Sequence, residues 1–320
     1  MPIATAFPTP VVALAGGVGA ARFLRGLTRA VPAGRVTAIV NTGDDKTFYG
    51  VHVSPDLDIV TYTLAGRIDP ARGWGLAGDR FALIQTLAEL GHDSWFRLGD
   101  LDYALCLHRT LRLREGVGLA TTSDELRRHL GVATQILPMS EDPCPTLVSR
   151  RGGETPHFEE YLVRDGAPDD VVGVDLSAAR RAKPGPGVIE SLRTARTIVL
   201  CPSNPIVSIG PILAVPGVRE AIRGSGAPVV AISPIVGGAP VKGPADRLLR
   251  GLGIEVSALG VAGLYRDVTQ AFVLDLRDAA LEPGVRALGL RTCVTDTIMR
   301  DDASSLRLAE AALSLAASRP

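Results

Sequence analysis

The chain has 320 residues, 46% of them hydrophobic and 21% charged, enough to bury a sizeable core as one large α/β domain or two smaller ones. Thirty-four basic residues balance thirty-four acidic ones, so no net field selects nucleic acid or an anionic membrane, and any phosphate binding has to be local to particular loops. Four widely spaced cysteines without a CxxC pair argue against a disulfide framework or a zinc knuckle. Residues 1–10 lack a basic leader region, and the apolar run at 11–15 is too short to span a membrane, so a cytoplasmic protein is expected.

In chain order, Val11 to Ala15 is a short, continuously apolar run closed by Gly16-Gly17, the pattern of a strand buried on both faces of a parallel sheet. From Ala20 onward Phe23, Leu24, Leu27 and Val31 recur at helical spacing. A second strand, Val36 to Val40, ends in Asn41-Thr42-Gly43-Asp44-Asp45. Residues 58–65, 79–90 and 100–114 read as helices. Between 134 and 176 the character changes: Gln135 to Pro138, Thr146 to Arg150 and His157 to Arg164 read as strands, with Gly152-Gly153 as a hairpin turn. Buried strands return at Thr197 to Leu200 and Val229 to Ile232, then near 271–276 and 290–294, before a C-terminal helix opened by Asp302, with Leu306, Ala309 and Leu313 on one face. This alternation predicts an α/β, Rossmann-like three-layer sandwich with a mostly parallel sheet. One continuous domain over 1–320 is expected, with inserted helical and β-hairpin elements at about 60–175 roofing the site. A two-domain split near Lys183 to Gly187 is the weaker alternative.

Ligands of open parallel sheets bind beyond the carboxyl ends of the strands, and the notable loops all fall there. Gly16, Gly17 and Gly19 open a helix whose unpaired N–H groups suit a phosphate, although a tight turn alone would also demand glycine. Asp44-Asp45 and Asp56/Asp58 place four carboxylates after one strand. Helix capping and an Asx turn account for some of them, whereas a hard divalent cation, Mg²⁺ above all, would use one or two together with phosphate oxygens. Asp45 and Asp58 are the pair selected as metal ligands or catalytic base. Ser203, Asn204 and Ser208 sit in a proline-stiffened loop, and Gly237 and Lys242 in another; each offers hydrogen bonds or charge to a nucleotide. Arg97 follows Trp95-Phe96 and suits a flat ring system, whereas Arg109 reads as an exposed helix residue.

Taken together, GGVGAARFLRGL, VNTGDD, VSPDLDIVTYTLAG, RGWGLAGD, RLGD, LPMSEDP, HFEEYLV, CPSNPIVSIGPIL and AISPIVGGAPVKGPADRLL, with the tail TDTIMRDDASSLRLAE, resemble the 2-phospho-L-lactate transferase (CofD-like) family of coenzyme F-420 biosynthesis. The resemblance covers nearly the whole chain, and PSNPxxSIGPI with SPDLD is its specific part. It implies a Rossmann-like fold, a homodimer and Mg²⁺ dependence. It also implies a guanosine diphosphate donor carrying lactate, enolpyruvate or glycerate on its outer phosphate, and the deazaflavin Fo as acceptor. By the same resemblance Asp58 and Arg97 fall at Fo-contacting positions, Asp45 and Asp58 at acidic positions for the metal, and Gly16 to Gly19 with the PSNP and SPIVGG loops around the nucleotide. Relatives commonly continue the RLGD segment as Arg-Asp-x-Ala-Thr-His; Leu101, Leu105 and Cys106 stand at the polar positions here, which bears on the acceptor side.

Two other readings compete. A non-catalytic, nucleotide-sugar-binding branch, the gluconeogenesis-factor proteins, shares the glycine-rich opening, but its acidic loop runs Asp-Asp-Gly-Gly-Ser-Ser-Gly, against Asp44-Asp45-Lys46-Thr47-Phe48-Tyr49-Gly50 here. An NAD-dependent oxidoreductase is suggested by the first βα unit alone, where GxGxxG is incomplete because Arg22 stands at the last glycine position.

Overall fold

The structure is a computed structural model that describes residues 7–318; residues 1–6, within the stretch read above for a leader, lie outside the described residues. Seven strands form the main sheet: β1 (Val11–Ala15), β2 (Val36–Val40), β3 (Gln135–Pro138), β4 (Thr197–Leu200), β5 (Val229–Ile232), β6 (Ala271–Asp275) and β7 (Arg291–Thr295). They lie in the order β7-β6-β5-β4-β1-β2-β3, and every pairing is parallel. Val11 of β1 pairs with Val36 of β2 on one side and with Thr197 of β4 on the other.

Successive side chains of a strand point to opposite faces, so an unbroken apolar run needs a cover on each face. Val12 and Leu14 join a core with Leu192, Ile209, Ile212 and Ile222 on one side of the sheet. Val11, Ala13 and Ala15 join a second core with Phe23, Leu24 and Leu27 of helix α1 (Gly17–Ala30) on the other, where Leu308 and Leu313 also pack. Those last two belong to the C-terminal helix, Asp302–Ala317, whose N-cap is Asp301, one residue before the expected start. Asp301 accepts from the Ser304 N–H at 2.7 Å while the Ser304 hydroxyl accepts from the Asp301 N–H at 2.9 Å, a capping box.

The segments between β2 and β3, and between β3 and β4, depart further from the sequence reading. Helix α2 (Pro55–Leu64) begins three residues early, because a proline is tolerated in the first helical turn, where its missing N–H has no partner to lose. The expected helix at 79–90 is confined to Ala82–Glu89, whereas α3 (Asp100–Arg114) spans the expected residues. A hairpin of Lys46–Phe48 and Val51–Val53 was not foreseen: its turn uses left-handed Tyr49 (φ 50°) and Gly50 (φ 78°), and Tyr-Gly is a weaker hairpin signal than Asn-Gly.

The strand expected over His157 to Arg164 is a correction. The chain does reverse at Gly152-Gly153, and the amides of Arg150 and Val148 donate to the Glu154 and Pro156 carbonyls, but the extended return ends at His157. A helical turn follows, continuing as a π-helix over Glu160–Arg164. Phe158, Tyr161 and Leu162 are spaced i, i+3, i+4 and all pack into the core, and the Glu160 carboxylate accepts the His157 N–H at 3.1 Å. The strand that pairs with Leu147–Arg150 is instead Val171–Asp175. Among the described residues, no helix is long and apolar enough to cross a membrane.

Candidate active site

The strand order reverses between β1 and β4, so the connections leaving these two strands run to opposite sides of the sheet and leave a crevice at their carboxyl ends. A cavity of 480 Å³ occupies it. Its floor is the turn after β1, and its far walls come from the inserted segments (Trp74, Trp95 to Leu98, Phe158 to Val163) and from the ends of β4, β5 and β7.

The glycine turn is required by packing before any ligand is considered. A Cβ on Gly16 would sit 2.6 Å from Asp56 Oδ2 and 2.7 Å from Ser208 Cβ, and one on Gly19 would sit 2.4 Å from the Pro202 carbonyl oxygen. The Gly16 N–H donates to Ser203 Oγ at 3.3 Å, and the Gly17 N–H donates to Asp56 Oδ1 at 2.7 Å. Asp56 therefore caps the opening of α1 rather than of its own helix, and Asn41 Nδ2 holds its other oxygen at 2.9 Å.

Asp56 belongs to a cluster that only the folded chain assembles. Asp44, Asp56 and Glu159 all line the cavity and all are buried. Burial pushes Asp44 well above the usual carboxylate range, and the charges of Asp56 and Glu159 push it further. Burial likewise takes Asp56 up to about 6, and burial with the Asp56 charge takes Glu159 up to about 8. No salt bridge neutralises these three acids among the described residues, and Asp44 Oδ1 is buried with no hydrogen-bond partner. Three buried acids without a cation, one with an orphaned oxygen, make a negative patch that attracts a hard divalent ion from solution, although their oxygens are not all gathered within 4.8 Å of one another.

The expected pair is placed differently. Asp45 does not line the cavity: its Oδ2 accepts from Ser54 Oγ at 2.8 Å and lies 3.1 Å from His52 Nε2, while its Oδ1 is buried without a partner. Asp58 does line the cavity, but both its oxygens are held by Arg109, Nη1 donating to Oδ2 at 3.1 Å and Nη2 to Oδ1. Arg109 is thus not the exposed helix residue its sequence position suggested. It is 1% exposed, and although burial disfavours its charge, Asp58 holds the guanidinium above its ordinary pKa. Alongside, Tyr62 Oη donates to Asp102 Oδ1 at 2.7 Å, and burial with the Asp58 charge raises Asp102 to about 7. Asp58, Asp102 and Cys106 bring potential metal-ligand atoms within 4.8 Å of one another, but the Arg109 guanidinium already supplies the positive charge there.

Of the expected nucleotide contacts, Ser203, Asn204, Ser208 and Lys242 line the cavity with Gly16, Gly17 and Gly19; Gly237 does not, and its N–H donates instead to the Asp278 carboxylate. Asn204 spends its Oδ1 on the Ile206 amide at 3.0 Å, which shapes the loop and leaves its Nδ2 for other partners. Arg97 lines the cavity with its guanidinium 4.8 Å from the centre of the Phe81 ring. Of the three departures from the RLGD pattern, Leu101 is exposed and Leu105 half-buried, while Cys106 is buried with its Sγ 3.9 Å from Asp58 Oδ2. Glu159 and Arg109 were missed as site residues. The i, i+3, i+4 spacing of Phe158, Tyr161 and Leu162 was the available signal for the first; Arg109 had none, since α3 is rich in leucine and arginine on every face.

The family model for the 2-phospho-L-lactate transferase CofD matches residues 11–283. The chain belongs to that family, the transferases of coenzyme F-420 biosynthesis. It is 43% identical to a phosphoenolpyruvate transferase of Kitasatospora aureofaciens over 96% of this chain and 97% of that one. It is 39% identical to a 2-phospho-L-lactate transferase of Methanosarcina mazei, covering 94% and 98%, and 40% identical to one of Methanopyrus kandleri, covering 94% and 95%. A crystal structure of a UPF0052-family protein from Bacillus halodurans superposes with a TM-score of 0.65 at 20% identity, covering 95% of this chain and 98% of that one, which establishes the shared fold.

Proposed function

We propose that this CofD-family transferase moves a phosphorylated three-carbon acid from a guanosine diphosphate donor to the terminal ribityl hydroxyl of the deazaflavin Fo. The acceptor oxygen forms a bond to the outer phosphorus, the bond from that phosphorus to the bridging oxygen breaks, GMP leaves with the bridging oxygen, and the hydroxyl proton passes to solvent. Phosphoenolpyruvyl is the group to test first, because the relatives at 43% and 44% identity carry that name; phospholactyl and phosphoglyceryl follow. The observation that carries the reading is the uncompensated trio Asp44, Asp56 and Glu159 beside the opening of α1.

Phosphoryl transfer asks a protein mainly for positioning and charge neutralisation. Asp44, Asp56 and Glu159 would hold Mg²⁺; this placement is preferred to Asp45 and Asp58 because all three acids line the cavity and lack a counter-charge. When bound, Mg²⁺ would neutralise diphosphate oxygens and relieve the repulsion among the acids. In the proposed site the first-turn amides of α1 beyond Gly17 and the hydroxyls of Ser203 and Ser208 hold phosphate oxygens, and Asn204 and Lys242 also contact the donor. Asp58, fixed by Arg109, orients the acceptor hydroxyl, and Arg97 with Trp74, Trp95 and Phe96 forms the wall for the ring system. The same reading takes the protein as a cytoplasmic homodimer; the exposed Leu101, Leu107 and Leu111 on one side of α3 offer an apolar face for pairing.

The test is incubation with Fo, Mg²⁺ and each of the three donors, with detection of free GMP and the Fo phosphodiester. Formation of both with any donor is the expected result. Turnover of none, together with tight binding of a UDP-sugar, would replace the transferase by a nucleotide-sugar-binding regulator.

A further inference from the structure

Three basic side chains, Arg22, Arg97 and Lys242, line the cavity, and none of them has a carboxylate partner among the described residues. Arg97 rests on the Phe81 ring. The other two converge from separate elements. Arg22 lies on α1 one turn beyond Val18, so the two side chains share a helix face. Gly73 meets that face: a Cβ placed on it would be 3.7 Å from Val18 Cγ1 and 3.3 Å from Lys242 Nζ. The Lys242 ammonium is thus brought by the loop after β5 to the face of α1 that carries Arg22, tethered only by the Arg72 carbonyl at 3.4 Å. Arg22 in turn has only the Met299 carbonyl, at 3.3 Å. Partial desolvation at the cavity wall, with the Arg22 charge as the second cause, lowers the Lys242 pKa, in keeping with the two cations lying near each other.

Two cations held near each other with only carbonyl oxygens for partners repel, and an anion seated between them removes that cost. The acids Asp44, Asp56 and Glu159 line the same cavity and repel an anion, so the basic side chains are what draws an anionic ligand to the Arg22 and Lys242 wall. We infer that Arg22 and Lys242 form a two-cation clamp for anionic oxygens of the donor. Resting on the transferase reading, the ligand chemistry is either the diphosphate or the carboxylate of the three-carbon acid. Arg22 has no role in the sequence motifs beyond breaking the GxGxxG pattern, and a clamp gives this substitution a reason.

The test uses Arg22→Met and Lys242→Met, both at exposed positions where substitution leaves the fold intact. Both tryptophans of the chain, Trp74 and Trp95, line the cavity, so their fluorescence follows binding of GMP, GDP, enolpyruvyl-GDP and inorganic pyrophosphate. Each variant should weaken binding at least tenfold. A loss seen already with GDP and pyrophosphate assigns the clamp to the diphosphate; a loss confined to enolpyruvyl-GDP assigns it to the carboxylate. Affinities within twofold of wild type for all four ligands in both variants would overturn the clamp. If wild type turns over no donor yet binds pyrophosphate in an Arg22-dependent way, the transferase reading falls and the clamp stands.

Discussion

Replacing Arg109 by Met tests whether the structure has assigned the charges around Asp58 correctly. Arg109 and Asp58 have side-chain exposures of 1% and 9%, and the guanidinium contacts both carboxylate oxygens. Methionine fills much of the volume but leaves Asp58 buried without its cation, with Asp102 and Cys106 close by. Removing one partner of such a pair costs about 3–5 kcal/mol, because the remaining charge keeps its desolvation penalty. With a urea m-value of about 3 kcal/mol/M, that moves the unfolding midpoint down by about 1 M or more, which tryptophan fluorescence can follow. The double variant Arg109→Met with Asp58→Asn removes the stranded charge and should regain about 2 kcal/mol of that loss, a coupling that a double-mutant cycle isolates. A loss below about 1 kcal/mol for Arg109→Met, or a double variant no more stable than the single one, would refute the buried pair as the organiser of this wall.

Asp44→Asn and Asp56→Asn should each lower the initial rate of GMP release by about a hundredfold or more, while Asp45→Asn, outside the cavity, lowers it less than about tenfold; the reverse ranking would return the cation to Asp45. Because Asp56 and Glu159 titrate near 6 and 8 in the fold, above their ordinary values of 3.8 and 4.5, their contribution to stability is present at low pH and is lost as pH rises through that window. Metal-free protein should therefore melt at lower temperature at pH 8 than at pH 5.5, Glu159→Gln should flatten the trend, and added Mg²⁺ should raise the melting temperature more at pH 8. Gly19→Ala drives a methyl against the Pro202 carbonyl and should cost about 1–3 kcal/mol net in urea unfolding even without ligand, the clash outweighing a gain of up to about 1 kcal/mol in helix propensity.

The apolar runs Val11 to Ala15, Thr197 to Leu200 and Val229 to Ile232 specified buried parallel strands by themselves, because a run with no polar face has nowhere else to go. The site's address was equally local: glycine and proline-rich loops follow those strands, and ligands bind at strand carboxyl ends. Which acids meet was not local. Asp44 and Asp45 are adjacent in sequence, yet the Tyr49-Gly50 hairpin carries His52 and Ser54 back onto Asp45 and leaves Asp44 facing the cavity. Glu159 joins Asp44 and Asp56 from more than a hundred residues away, through a helical turn whose short length and flanking glycines resembled a strand. Arg109 is one of several arginines on α3, and only the packing of α2 against α3 decides that it is the one buried on Asp58. Charge pairing depends on distance and burial, both long-range properties of the chain, whereas strand and turn formation depend on neighbours a few residues away.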